Sequence, residues 1–349
     1  MTIRFDIIFE ILLLARCFVR LIKVVQMNLM NKDKFKSSVE IGLLLLTAVV
    51  LGLISAYLPI IGVIVDFFWA VPFVVLTVRS DIKKAALALI AAVILLSLLI
   101  DPIFAVKLAL SFGLSGLALG YAIQKNVGAV RIFIFTLMIS FAAQILSMMF
   151  MLFVVNIDVL GNQFAMVKES FEETFEVYKS IGMSQEEIDK ARAEVEPGLE
   201  LLSLLTPTLL LLMALINTTA CFYAAKWIAP KMKFYIPDFP KFSTWRFPVA
   251  FLYLMVLALL GLYWGSTRNL QLLYTVSINA NLLSMVVGFV QGLSILSFAA
   301  DHFKVSKLIR RLIFIVIMIN FMLFQIIAFT GLFDMLFDYR KNFSDRDQK

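Results

Sequence analysis

Runs of about 20 apolar residues recur along this chain of 349 residues, separated by short polar breaks. Each run is long enough to cross a hydrocarbon core of roughly 30 Å as a helix rising about 1.5 Å per residue. Nine stand out, at 39–58, 60–79, 85–100, 103–123, 132–156, 199–225, 248–264, 272–299 and 309–330. The pattern predicts an all-α polytopic membrane helical bundle with about nine transmembrane helices, because a lone segment in lipid must satisfy its own backbone polar groups. Between the fifth and sixth runs the pattern changes. Phe164, Val167, Phe171, Phe175 and Tyr178 recur at helical spacing, and Gly182 stops that helix. Ser184 and Glu187 have the spacing of a capping box, in which hydroxyl and carboxylate each bond the other's exposed amide. Pro197-Gly198 then breaks the second helix. The segment at 158–198 is thus expected to be an outer acidic helical hairpin, either a solvated cap or a contact surface.

The domain plan follows. Residues 1–36 are an N-terminal segment whose first 26 residues put Asp6, Glu10, Arg16, Arg20 and Lys23 on one helical face. That face suits a helix lying in the membrane interface. The alternative is that translation starts at Met27 or Met30. The segment has scattered charges and no small-residue cleavage site, so it is not read as a cleavable signal. Residues 37–225 form a six-helix membrane unit carrying the hairpin, 226–247 a basic cytoplasmic linker, and 248–349 a three-helix membrane unit with a short tail.

Charge orients this plan. The net charge is +7, yet charged residues are only 16% of the chain against roughly 25% in soluble domains. The bases gather in alternate connections, for example Lys32 to Lys36, Arg79 to Lys84, Lys226 to Arg246 and Lys304 to Arg311. This is the positive-inside pattern, so the chain is expected in the cell membrane with its N-terminus cytoplasmic. The same bookkeeping explains the basic balance without a nucleic-acid partner. The segment from Asp158 to Glu200 has eleven acidic and four basic residues and falls on the opposite, outer side. The tail after Thr330 has four of each and is assigned to neither side; a re-entrant last run would leave it cytoplasmic.

Few residues carry chemistry. His302 is the only histidine, and Cys17 and Cys221 are lone thiols without ligand spacing, so no metal or other cofactor is expected. No phosphate loop or nucleophile elbow is present, and no enzymatic activity is expected; an intramembrane enzyme is the least favoured reading. Ionisable groups inside spans mark sites by default. Asp66 lies six residues, about 9 Å, below the outer turn at Pro59. Asp101 sits at the next outer turn, Lys107 six residues beyond it, and Asn156 ends the fifth run on the same side. These four converge on the outer leaflet as candidate substrate-binding residues. Pro72 removes one backbone bond and is expected to kink the wall of that cavity. The plainer alternative is a structural pair between Asp66 and Lys107. Asn217, Asn279, Asn281, Gln291, Asn320 and Gln325 read as interhelical glue, and Ala48, Gly52 and Ala56, Gly116 and Gly120, and Gly288 and Gly292 as close-packing seams.

Several stretches, taken in order, resemble the YybS-like family of bacterial multi-pass membrane proteins. They are "YLPIIG…AVPFVVLTVRSDIKKAAL", "LALSFGLSGLALGYAIQKN", "VQGLSILSF" and "GLFDMLFDYRK". The resemblance runs from about Ser37 to Lys341. Helices at the N-terminal end of that family are similar to the substrate-binding S components of energy-coupling-factor transporters. By that resemblance the first six helices would hold a small-molecule ligand near the outer face. Ala48, Gly52 and Ala56 would dock a transporter coupling subunit, or serve a homo-oligomer. The resemblance implies binding, and uptake, of a small solute from outside. Three further spans and the hairpin depart from an S component and put that docking in doubt. The alternative function is a non-enzymatic membrane scaffold for envelope or cell-division partners.

Overall fold

A computed structural model of the chain describes residues 34–156 and 159–341. The readings of residues 1–26, the two start codons and Asp158 lie outside the described residues. The described residues form helices and no strand. They divide into two compact units. The first reaches Asn162 and includes Leu210–Asp238; the second holds Gln163–Leu209 and everything described from Phe239 onward.

The first unit contains α1 (Lys34–Tyr57), α2 (Pro59–Trp69), α3 (Val71–Arg79), α4 (Ile82–Leu99), α5 (Pro102–Leu108), a π turn (Ala109–Gly113), α6 (Leu114–Gln124), α7 (Ala129–Phe153) and most of α10 (Thr206–Ile228). Pro72 falls in the first turn of α3, and Ala70 separates α2 from α3. The proline thus breaks the second span where it removes a backbone donor. The core forms at this break. Trp69 and Phe73 are fully buried, and the Trp69 indole donates to the Ala48 carbonyl at 2.9 Å. Small residues allow the approach. A Cβ on Gly116 would stand 2.5 Å from the Ala70 carbonyl, and one on Gly120 would stand 2.6 Å from the Thr77 side chain. The glycines of α6 therefore press its backbone onto α3. At the basic end Arg79 bonds Glu40 at 2.7 Å and the Met232 carbonyl at 3.2 Å.

The second unit contains most of α8 (Val159–Ser180), α9 (Gln185–Leu204), a short 3₁₀ turn (Phe242–Thr244), α11 (Ala250–Thr267), α12 (Gln271–His302), α13 (Lys307–Ile319) and α14 (Phe321–Phe337). The hairpin expected from the sequence is present. Both halves of the capping box form, and Gly182 takes φ +99°, where an L side chain would be strained. Phe175 and Ile188 are buried, and Arg192 lies over the Phe175 ring and pairs with Glu172 of the facing helix. Pro197 does not end α9, which runs on to Leu204. Proline removes only one ladder bond, and the exposed face of this helix lets water take the freed carbonyl. The sixth span consequently begins at Thr206. The sequence groups the hairpin with the first six helices, whereas its packing places it with the later ones. Asn279 of α12 accepts from the Thr208 amide at 3.1 Å and donates to the Leu204 carbonyl at 2.7 Å.

Among the described residues eight helices are long and apolar enough to cross a membrane, and the ninth expected span is a bent pair. The chain turns by 106° between α13 and α14, where Asn320 caps α14 by accepting from the Leu323 amide. Helix α14 then runs alongside α12 in the same direction. Phe324 stacks near Phe289, Gln291 bonds Asp334, and Ser294 bonds Arg340. Arg310 near the start of α13 pairs with Asp301 near the end of α12. Both ends of the pair therefore lie at one end of α12, and the pair turns back along it. The end of α14 is pinned there. Arg340 donates to the Ser243 and Trp245 carbonyls at 2.8 Å each and to the Ser294 hydroxyl at 2.9 Å.

Candidate solute site and polar core of the first unit

Asp66 sits on α2 one turn before the proline break and is half-buried. Its direct partner is neutral. The Ser55 hydroxyl of α1 donates to Asp66 Oδ1. Lys107, on α5, is the cation whose field reaches this carboxylate. Among the described residues no ion pair joins the two, and Lys107 is exposed. The alternative of a structural Asp66–Lys107 pair thus finds no direct contact. From the same helix, Phe67 and Phe68 face Tyr223 and Trp227 of α10 across an open apolar groove of about 400 Å³.

Asp101 and Asn156 have local roles. Asp101 is the N-cap of α5, and its carboxylate accepts from the Phe104 amide at 2.8 Å. An anion there satisfies an orphan donor and meets the positive end of the helix. Asn156 follows α7, is exposed, and takes φ 56°, a left-handed conformation that asparagine tolerates. No hydrogen bond or ion pair among the described residues joins Asp66, Asp101, Lys107 and Asn156 to one another. The arrangement is a carboxylate–hydroxyl pair with a neighbouring cation, plus two residues that end or start helices.

The seam of Ala48, Gly52 and Ala56 faces inward over most of its length. Ala48 is fully buried, and a Cβ on Gly52 would stand 2.7 Å from Leu96 of α4. Ala56 is half-buried. The fold itself occupies this face.

A second constellation escaped the sequence reading apart from its asparagine. Ser111 in the π turn, Ser115 on α6, Ser140 and Ser147 on α7, and Asn217 on α10 are all buried. The Asn217 Nδ2 donates to the Ser111 carbonyl at 2.9 Å and to the Ser115 and Ser140 hydroxyls at 3.1 Å each. The Ser111 hydroxyl donates to Ser147 at 3.2 Å. The sequence signal was weak: Ser111 and Ser115 are four residues apart, Ser140 and Ser147 seven, so each pair shares a helical face. Single serines in apolar spans are too common for that to stand out.

The family profile described as "Predicted membrane protein (DUF2232)" matches residues 46–335. A relative is the Bacillus subtilis (strain 168) protein named "Uncharacterized protein YybS". It is 21% identical over 318 residues, which cover 87% of this chain and 97% of that protein. No solved structure matches the chain.

Proposed function

Because the chain belongs to this family of membrane proteins, we propose that its first unit binds a small polar solute at Asp66, reached from the outer face, and passes it inward without chemistry of its own. One observation carries the reading. Asp66 is a half-buried carboxylate whose direct partner is a hydroxyl, with a cation nearby but not in contact. A charge kept inside an apolar bundle without a neutralising contact is expensive, and such groups serve pathways and sites. The solute supplies the missing partner, Ser55 orients the carboxylate, and Lys107 attracts an anionic group on the same solute. The groove beside Phe67 and Phe68 accepts an apolar portion. The basic connections at Arg79 and Lys226 to Arg246 support the outward orientation, because bases favour the cytoplasmic side. The likeness to S components enters only through the position of this site. Coupling through Ala48 and Gly52 is left out, since α4 and Trp69 already cover them.

The test is native mass spectrometry of the full-length protein in mild detergent. The wild type is expected to carry a small-molecule adduct that Asp66→Asn loses. An adduct held equally by both proteins would remove Asp66 from the site.

The scaffold reading has its own observation. The hairpin lies outside the spans, yet Met166 and Ile181 are 65% and 73% exposed and Val177 is 57% exposed. Exposed apolar side chains on a water-facing hairpin suit a protein contact. A photo-crosslinking residue at Ile181 that captures a defined envelope protein would support it, and a pattern without discrete adducts would not.

A further inference from the structure

Helix α13 is bare along one side and charged at one end. It has 13 residues, about 20 Å of helix, and is too short to cross the hydrocarbon core alone. One edge holds it to the rest of the second unit. Arg310 pairs with Asp301 at 2.6 Å, and Ile317 is buried in a cluster with Phe289, Leu293 and Ala328. The other side is open. Leu308, Leu312, Ile315 and Ile319 are all exposed, the last to 81%. Leu308, Arg311, Ile315 and Ile319 follow one another at three or four residues and so form one stripe, with Arg311 at its charged end.

The charges at that end lack partners. Other bases of the second unit are paired: Arg310 with Asp301, and Arg246 and Lys341 with Asp338. Lys304, Lys307 and Arg311 are exposed, and none of them forms an ion pair among the described residues. Lys307 and Arg311 lie four residues apart on one face, where like charges repel. Both stand near the start of the helix, where the unpaired backbone amides already carry partial positive charge. Positive charge thus gathers here with no acid to offset it. Beside it runs an apolar stripe that needs hydrocarbon. The anion that meets both demands is one that carries its own chain.

We propose that α13 is a docking surface for an anionic phospholipid. The lipid phosphate sits between Lys307 and Arg311, Lys304 adds attraction, and an acyl chain lies along Leu308, Ile315 and Ile319. Basic clusters on amphipathic helices beside spans recognise anionic lipid in this way. A zwitterionic headgroup offers the same phosphate but brings a cation of its own, which the three bases repel, so the surface discriminates by charge. Bases in a connection orient a membrane chain, but orientation asks nothing of an apolar stripe in register with them. The surface shares no residue with the Asp66 site, so the two readings stand or fall separately.

The probes are dioleoyl phosphatidylglycerol and dioleoyl phosphatidylcholine, which share their chains and differ in headgroup. Delipidated full-length protein in mild detergent is titrated with each, and bound lipid is followed by native mass spectrometry. Phosphatidylglycerol is expected to bind roughly fivefold more tightly or better, the factor that one base near an anionic surface supplies. The preference should shrink as salt rises. Lys307→Gln combined with Arg311→Gln should remove most of it, and because both side chains are exposed the melting temperature should hardly move. Lys233→Gln combined with Lys241→Gln, in the basic connection after α10, should keep it, which separates α13 from positive charge in general. Equal affinities of the wild type for the two lipids would overturn the proposal, and so would a preference that ignores salt. A preference kept by the α13 variant, or lost equally in the control, would do the same. So would displacement of phosphatidylglycerol by an equal concentration of inorganic phosphate, since the free anion would then be the ligand.

Discussion

Asp66 and Asp101 are two carboxylates near the same end of the first unit with different fates. Asp101 is bound to the backbone of its own helix, and Asp66 to a hydroxyl of another. Substitution separates them. Asp101→Ala removes a cap and should lower stability by about 1 kcal/mol. Asp66→Asn keeps shape and a bond to Ser55, and Lys107 is exposed rather than stranded, so the melting temperature in detergent should hardly move. Adding Lys107→Met should change little more. Breaking a buried ion pair costs about 3–5 kcal/mol. A loss of that size in Asp66→Asn, recovered in the double variant, would show a structural pair after all. Asp66 was legible because a carboxylate in an apolar run is conspicuous. Ser55 was not, since nothing in its own stretch "GLISAY" distinguishes it from the other small residues.

Helices were readable where their signals are local. The capping box at Ser184 and Glu187 needs only four residues, and it forms as expected. The bonds from the Ser184 hydroxyl and amide hold the Glu187 carboxyl below its usual range. A group depressed in the folded state stabilises above its unfolded pKa and loses that contribution as pH falls through the folded one. Amide protection factors at the start of α9, which already allow for the slower intrinsic exchange in acid, should therefore fall on acidification below the ordinary glutamate range, and Glu187→Gln should flatten that dependence. Equal acid sensitivity in both proteins would contradict it. Pro197 misled because a proline is tolerated where the freed carbonyl meets water. The turn between α13 and α14 was hidden because both segments are apolar and together have the length of one span. Only packing against α12 reveals the return. Gly331 makes that packing possible, since a Cβ there would collide with the Gly288 carbonyl and the Gly292 amide. Gly331→Ala should cost roughly 1–3 kcal/mol by overpacking, read as a lower melting temperature. An unchanged melting temperature would mean that α14 does not press on α12 at this point.

At the scale of the molecule, apolar run length revealed a membrane bundle and the alternation of bases suggested its orientation. Neither could show that, among the described residues, the ninth apolar run is a bent pair that turns back along α12, because composition does not record direction. The account rests on the Asp66 end facing outward, and thiol labelling on intact cells addresses that most directly. Single cysteines are placed at Gln185 in the hairpin, Lys233 after α10 and Lys341 after α14, in a background with Cys17 and Cys221 replaced by alanine. With a membrane-impermeant reagent, the cysteine at 185 is expected to react on intact cells. Those at 233 and 341 should react only after permeabilisation, since the proposed orientation puts the basic connection after α10 in the cytoplasm and the returning pair keeps 341 on the same side. Labelling at 233 with protection at 185 would place Asp66 in the inner leaflet and contradict uptake from outside.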